Sequence, residues 1–161
     1  MNKVLVVVDA WEKPFCAADA QNHPHFLQDT KAFGTFLNRV CEQERSRGTL
    51  IVHSASGRDV MKEIEICGED TVVGSPSALT SVLSNFDKVY FCGFHFGRCI
   101  QTHVRQAALG SKASIVLNLS LTFPSDLWVN QLRKHAHFNY SLWNTVGFED
   151  ININSMVKGK L

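Results

Sequence analysis

The stretch Gly93-Phe94-His95-Phe96-Gly97-Arg98-Cys99-Ile100 sets a cysteine between the apolar run "KVYFC" and a segment of helical spacing, "QTHVRQAALG". The thiolate is the nucleophilic form of cysteine. A helix start favours it, because partial positive charge and free N–H groups gather there. The same N–H groups suit an oxyanion. A second candidate, Asp9, ends the first apolar run, "KVLVVVDAW". A carboxyl buried in such surroundings has a raised pKa, which fits it to take and return a proton. If the fold brings them together, Cys99 as nucleophile and Asp9 as acid/base offer attack on a carbonyl with proton delivery to a leaving group. Read singly, each has an ordinary alternative: free cysteines are among the most buried residue types and mostly inert, and an aspartate can simply cap a turn.

Other polar or aromatic residues gather near the ends of apolar runs. His53, Ser54 and Ser56 follow "TLIV", His95 and Arg98 adjoin Cys99, and Asn118 and Ser120 end "ASIVLNLS". Trp11, Phe15, His53, His95, Phe96 and Arg98 form the candidate substrate-binding set. The aromatics suit a small, partly apolar or planar ligand, and packing explains them equally well. Cys16, Cys41, Cys67 and Cys92 read as structural thiols. Neither "SGRD" (56–59) nor "GFHFG" has the glycine spacing of a phosphate loop or dinucleotide site. "HPH" (23–25) lacks a third metal ligand nearby. No cofactor and no metal are expected.

These residues need elements to position them. "KVLVVVD" (3–9), "TLIVHS" (49–54), "KVYFCG" (88–93) and "ASIVLNL" (113–119) are continuous apolar runs, the pattern of strands covered on both faces in a parallel sheet. "YSLWNTV" (140–146) is a weaker case. Phe33, Phe36, Leu37 and Val40 share a helical face, with Asp29 as N-cap and Gly48 as stop. Ser75-Pro76 opens a second helix carrying Ala78, Leu79, Val82 and Leu83. Ile100, Val104, Ala107 and Ala108 mark a third, ended by Gly110, and Ser125 caps a fourth with Trp128 and Leu132. Residues 10–28 read as a loop over the site or a subunit contact. Strand and helix alternate, so the expected class is α/β: a mostly parallel central sheet with helices on both faces. Such sheets place ligands at the carboxyl ends of their strands.

The chain has 161 residues with a formal net charge of +1, 45% hydrophobic and 19% charged. That is the size and composition of one folded domain, residues 1–161. The charge gives no reason to expect a nucleic-acid or membrane partner. No run reaches the length of a membrane span, no export signal is present, and the five cysteines contain no Cys-x-x-Cys pair. A reducing cytoplasmic location follows as the expectation.

An N-terminal strand ending in aspartate, then a later strand leading into Gly-x-x-x-x-x-Cys-Ile at a helix start, resembles the isochorismatase-like cysteine hydrolases. Nicotinamidases and N-carbamoyl amide hydrolases belong to that superfamily. The likeness rests on "VLVVVDAW", "GTLIVHS", "SPSALTSVL" and "VYFCGFHFGRCIQTHVRQAALG", and spans roughly residues 3–120. It implies a Rossmann-like three-layer fold, Cys99 as nucleophile, Asp9 as acid/base, and a non-proline cis peptide near His95–Phe96. The family's catalytic lysine is absent from its place before "SPSALTSVL", where Val73, Gly74 and Ser75 stand. His53 or Arg98 is the candidate replacement charge. Trp11 replaces the glutamine that often follows the aspartate, Phe96 replaces a loop threonine, and "HSASGRD" replaces the metal-binding segment of nicotinamidases. Two functions stay open. One is a cysteine hydrolase of a small amide or related C–N or ether bond. The other is an inactive member that binds a small-molecule ligand or a protein. Either is compatible with a homo-oligomer, a dimer or tetramer. A thiol redox protein ranks last, because Cys99 lacks a nearby resolving thiol.

Overall fold

A computed structural model describes residues 2–10, 26–94, 99–121 and 150–152. Strand β1 (Lys3–Val8) carries Val4 to Val8 with essentially no exposed surface, as its unbroken apolar run requires. It lies between β2 (Leu50–Ser54) and β4 (Lys88–Phe94), parallel to both. Outside β2 is β3 (Thr71–Val73); outside β4 lie β5 (Ala113–Leu121) and β6 (Asp150–Asn152). The order is β3-β2-β1-β4-β5-β6, parallel except for the antiparallel β5–β6 pair. The expected α/β class and mostly parallel sheet are borne out.

Helices cover both faces. Helix α1 (Phe26–Ser46) sets Phe33, Phe36, Leu37, Val40 and Cys41 against Leu5, Val7 and Ile51. Helices α2 (Pro76–Leu83) and α3 (Gln101–Ala107) set Leu79, Leu83, Val104 and Ala107 against Val4, Val6, Val8 and Val52 on the other side. From β1 the chain moves outward to β2 and then returns past β1 to β4. Right-handed crossovers in opposite directions must pass on opposite faces. The chain therefore switches direction at the carboxyl ends of β1 and β4, where such sheets open a crevice.

The predicted caps are partly confirmed. Ser75 accepts from the Ala78 N–H at 3.3 Å and Pro76 begins α2. Gly48, at φ 77°, stops α1: its N–H reaches the Arg45 carbonyl at 2.9 Å and the Thr49 N–H reaches that of Glu44 at 3.0 Å. This pair of bonds satisfies carbonyls the helix end would leave open. Asp29 is not the N-cap, because α1 already begins at Phe26. The third helix stops at Ala107, with Ala108 left-handed at φ 50°, before the expected Gly110. The expected strand at 140–146, the helix capped by Ser125 and the HPH segment lie outside the described residues. Among the described residues no helix is long and apolar enough to cross a membrane.

Candidate active site

Strands β1 and β4 pair in register to Val8↔Gly93, so the residues following each emerge side by side. Asp9 follows β1 directly. Its φ of 51° is left-handed, a conformation aspartate tolerates better than most residues. The consequence shows in the packing. Val4, Val6 and Val8 face α2 and α3, and Leu5 and Val7 face α1, yet Ala10 also lies on the α1 side. The left-handed residue breaks the alternation and turns Asp9 toward α3. Backbone bonds hold the bend: the Asp9 N–H donates to the Ser54 carbonyl at 2.8 Å, and the Met61 N–H to that of Ala10 at 2.7 Å.

Cys99 and Ile100 lie in a π-type helical turn that runs into α3. Ile100 is fully buried, whereas Cys99 is half-buried and packs at the margin of the same core. Its thiol makes a side-chain hydrogen bond with the Asp9 carboxyl. Asp9 is only 4% exposed. Burial pushes its carboxyl above the usual range, against the opposing pull of the Cys99 bond, the His103 and Arg58 charges and the Ser56 hydroxyl. The Ser56 hydroxyl, itself on a left-handed residue (φ 50°), donates to Asp9 Oδ1 at 3.2 Å. A carboxyl whose pKa rises on folding is most favourable when protonated. Its contribution to stability fades as pH climbs through the folded value, so the fold carries ionised Asp9 at a cost.

His103 completes the cluster. It lies four residues after Cys99, hence on the same helical face. Its Nδ1 is 2.8 Å from the Cys99 carbonyl, and its Nε2 is 3.8 Å from Asp9 Oδ1. His103 ends no apolar run, and its i, i+4 relation to the cysteine is the signal the sequence carries for it. Ser56 reads from the sequence as a strand-end residue only.

His53 is elsewhere. It faces the α1 side with Val7, its strand partner, is 1% exposed and sits 3.0 Å from Asp70 Oδ2. Burial lowers its pKa, outweighing the opposing pull of Asp70, which leaves it poorly suited to supply positive charge. Asp70 is bound bidentately by Arg45, at 2.8 and 2.6 Å. The structure thus brings Asp9 and Cys99 together and does not bring His53 to them. Trp11, Phe15, His95, Phe96, Arg98 and the expected cis peptide lie outside the described residues. Among the described residues no three His, Cys, Asp or Glu side chains gather as a metal site.

Known structures carry the same arrangement of elements. The chain resembles an isochorismatase family protein from Desulfovibrio vulgaris subsp. vulgaris str. Hildenborough, with a TM-score of 0.59, 12% identity, and coverage of 90% of this chain and 97% of that one. It also resembles the pyrazinamidase of Pyrococcus horikoshii, solved in complex with zinc, with a TM-score of 0.56, 13% identity and coverage of 86% and 98%. The chain has the isochorismatase-like hydrolase fold. An N-carbamoylsarcosine amidase from Thermoplasma acidophilum shares this fold with it, with a TM-score of 0.52, 18% identity and coverage of 83% and 92%. No family model matches the sequence, and no curated protein matches it. At such low identities it is the isochorismatase-like fold that is shared, and the chemistry rests on Asp9, Cys99 and their neighbours.

Proposed function

We propose that the protein is a cysteine hydrolase of the isochorismatase-like family, acting on a small amide or related C–N bond. The observation that carries this reading is the contact between the Cys99 thiol and the buried Asp9 carboxyl at the crevice between β1 and β4. Asp9 takes the thiol proton, and Cys99 Sγ bonds to the substrate carbonyl carbon. Backbone N–H groups at the start of the helical run would hold the oxyanion. The C–N bond then breaks, and Asp9 returns the proton to the leaving nitrogen. Water, deprotonated by Asp9, attacks the thioester. The S–C bond breaks, and the proton goes back to sulfur. The raised pKa of Asp9 suits both directions of transfer. Trp11, Phe15, His95, Phe96 and Arg98 remain the proposed substrate contacts.

A panel of small amides and N-carbamoyl compounds tests this. Turnover by the wild type is expected, with Cys99→Ala reducing it by about 10³-fold or more. Equal turnover by that variant rejects the mechanism. A ligand that raises the melting temperature without being consumed would instead favour a binding protein on the same fold.

A further inference from the structure

The bonds around His103 allow its protons to be assigned. The Cys99 carbonyl only accepts, so the Nδ1 facing it at 2.8 Å must carry the hydrogen. In the neutral ring, Nε2 is therefore bare, and it is this atom that faces Asp9 Oδ1 at 3.8 Å. Both groups are withdrawn from water, with side chains 10% and 5% exposed. The 3.8 Å gap exceeds a hydrogen bond, but a shift of under about 1 Å closes it, and sites without substrate are commonly this loose. Among the described residues, the groups that bear on His103 are Asp9 from the end of β1 and Cys99 from its own helical run. Arg58, from the loop after β2, acts on Asp9. Arg105, two residues along α3, is engaged by Gln101 Oε1 at 3.1 Å.

We infer that His103 is the third member of the site, a positioning residue that holds the proton behind Asp9 and supplies the positive charge that stabilises the Cys99 thiolate. The inference rests on the hydrolase reading for its purpose but not for its test. The step moves protons only. Cys99 Sγ–H gives its proton to Asp9, and Asp9 passes one to His103 Nε2. Thiolate, carboxylate and imidazolium then stand in a row. The return of that proton through Asp9 to the leaving nitrogen restores the neutral ring.

The test is thiolate absorbance against pH, taken as the difference between each protein and its Cys99→Ala version, so it needs no substrate. His103→Asn keeps a donor within reach of the Cys99 carbonyl but cannot take a proton. It is expected to lower the thiolate fraction near neutral pH about tenfold. His103→Lys, which restores a cation, should recover most of that loss. Superimposable titrations for wild type and His103→Asn, with a displaced one for Asp9→Asn, would overturn the inference. Should His103→Asn fail to fold, nitrogen NMR of the wild-type ring decides. A proton on Nδ1 throughout, with Nε2 gaining a second one wherever Cys99 is thiolate, is expected; an Nε2 that stays bare while the thiolate forms, or a lone proton on Nε2, overturns the inference. If no amide is turned over yet the titration moves, the hydrolase reading fails and this inference stands. If amides are turned over and the titration does not move, the reverse holds.

Discussion

Gly93→Ala is expected to cost about 2–6 kcal/mol of stability, combining an overpacked contact with backbone strain. Gly93 has φ +114°, a conformation side-chain-bearing residues rarely adopt, and a methyl group there would lie 2.5 Å from the Val8 carbonyl oxygen and 2.7 Å from the Val8 nitrogen. Both are backbone atoms in the middle of the sheet, so neither can step aside. The close approach matters for the site, because Val8 and Gly93 are the last registered pair before Asp9 on one strand and the cysteine loop on the other. On the other side of β4, the pairing with β5 shifts register just before this glycine: Phe91 pairs with Ile115 but Gly93 with Ser120, and the Ser120 hydroxyl donates to the Val116 carbonyl at 2.7 Å across the irregularity. Urea unfolding of the two proteins measures the loss. An unchanged midpoint would mean that the strands do not approach as described.

The second large effect is expected at Asp70→Ala, at about 3–5 kcal/mol, the usual consequence of removing one partner from a buried charged pair. Asp70 and His53 side chains are 1% and 2% exposed and that of Arg45 is 15% exposed, so the variant strands a guanidinium and an imidazole. The pH dependence has a definite sign. Burial alone would raise the Asp70 carboxyl, but the bonds from Arg45, the Cys67 N–H and His53 hold it below its ordinary value of 3.8. Its stabilisation is thus present above that value and disappears as pH falls through the lower folded one. His53 is also held below its ordinary 6.5, so the native state favours the neutral ring and loses stability as pH falls from that point. The wild type should weaken from pH 6.5 downward, and the gap between wild type and variant should narrow below 3.8. A gap that widens in acid would contradict the assignment. Cys99 reactivity should be unaffected, because this network lies on the α1 side of the sheet.

The particular residues show what sequence could and could not reveal. β1, β2, β4 and β5 were legible because parallel strands buried on both faces must be unbroken apolar runs. β3 and β6 were not, because three residues carry no periodic signal. Asp9 and Cys99 were legible as reactive residues at or just beyond the ends of such runs. His53 passed the same filter and still points elsewhere: it alternates with Val52, which faces α2 and α3, so its side chain belongs to the α1 face. Asp9 escapes that alternation only through its left-handed backbone, which no residue pattern announces. His103 was hidden by its setting, a histidine within a helical repeat whose partner lies 94 positions earlier in the chain. Glu44 was similarly silent. It reads as a surface glutamate, yet it is 1% exposed and ties α1 to the bases of β1 and β2 through Lys3 at 3.0 Å and Thr49 at 2.8 Å.

The most direct measurement follows alkylation of each cysteine against pH by mass spectrometry, in the wild type and in Asp9→Asn. Cys41 and Cys92 are buried thiols whose pKa values burial pushes up, to about 12 for Cys41, and they serve as internal unreactive references. Cys99 is expected to react fast below pH ~7, well under the free-thiol value of about 8.5, with a profile that moves when Asp9 is changed. A Cys99 that titrates like an ordinary thiol, with the same profile in both proteins, would contradict the mechanism.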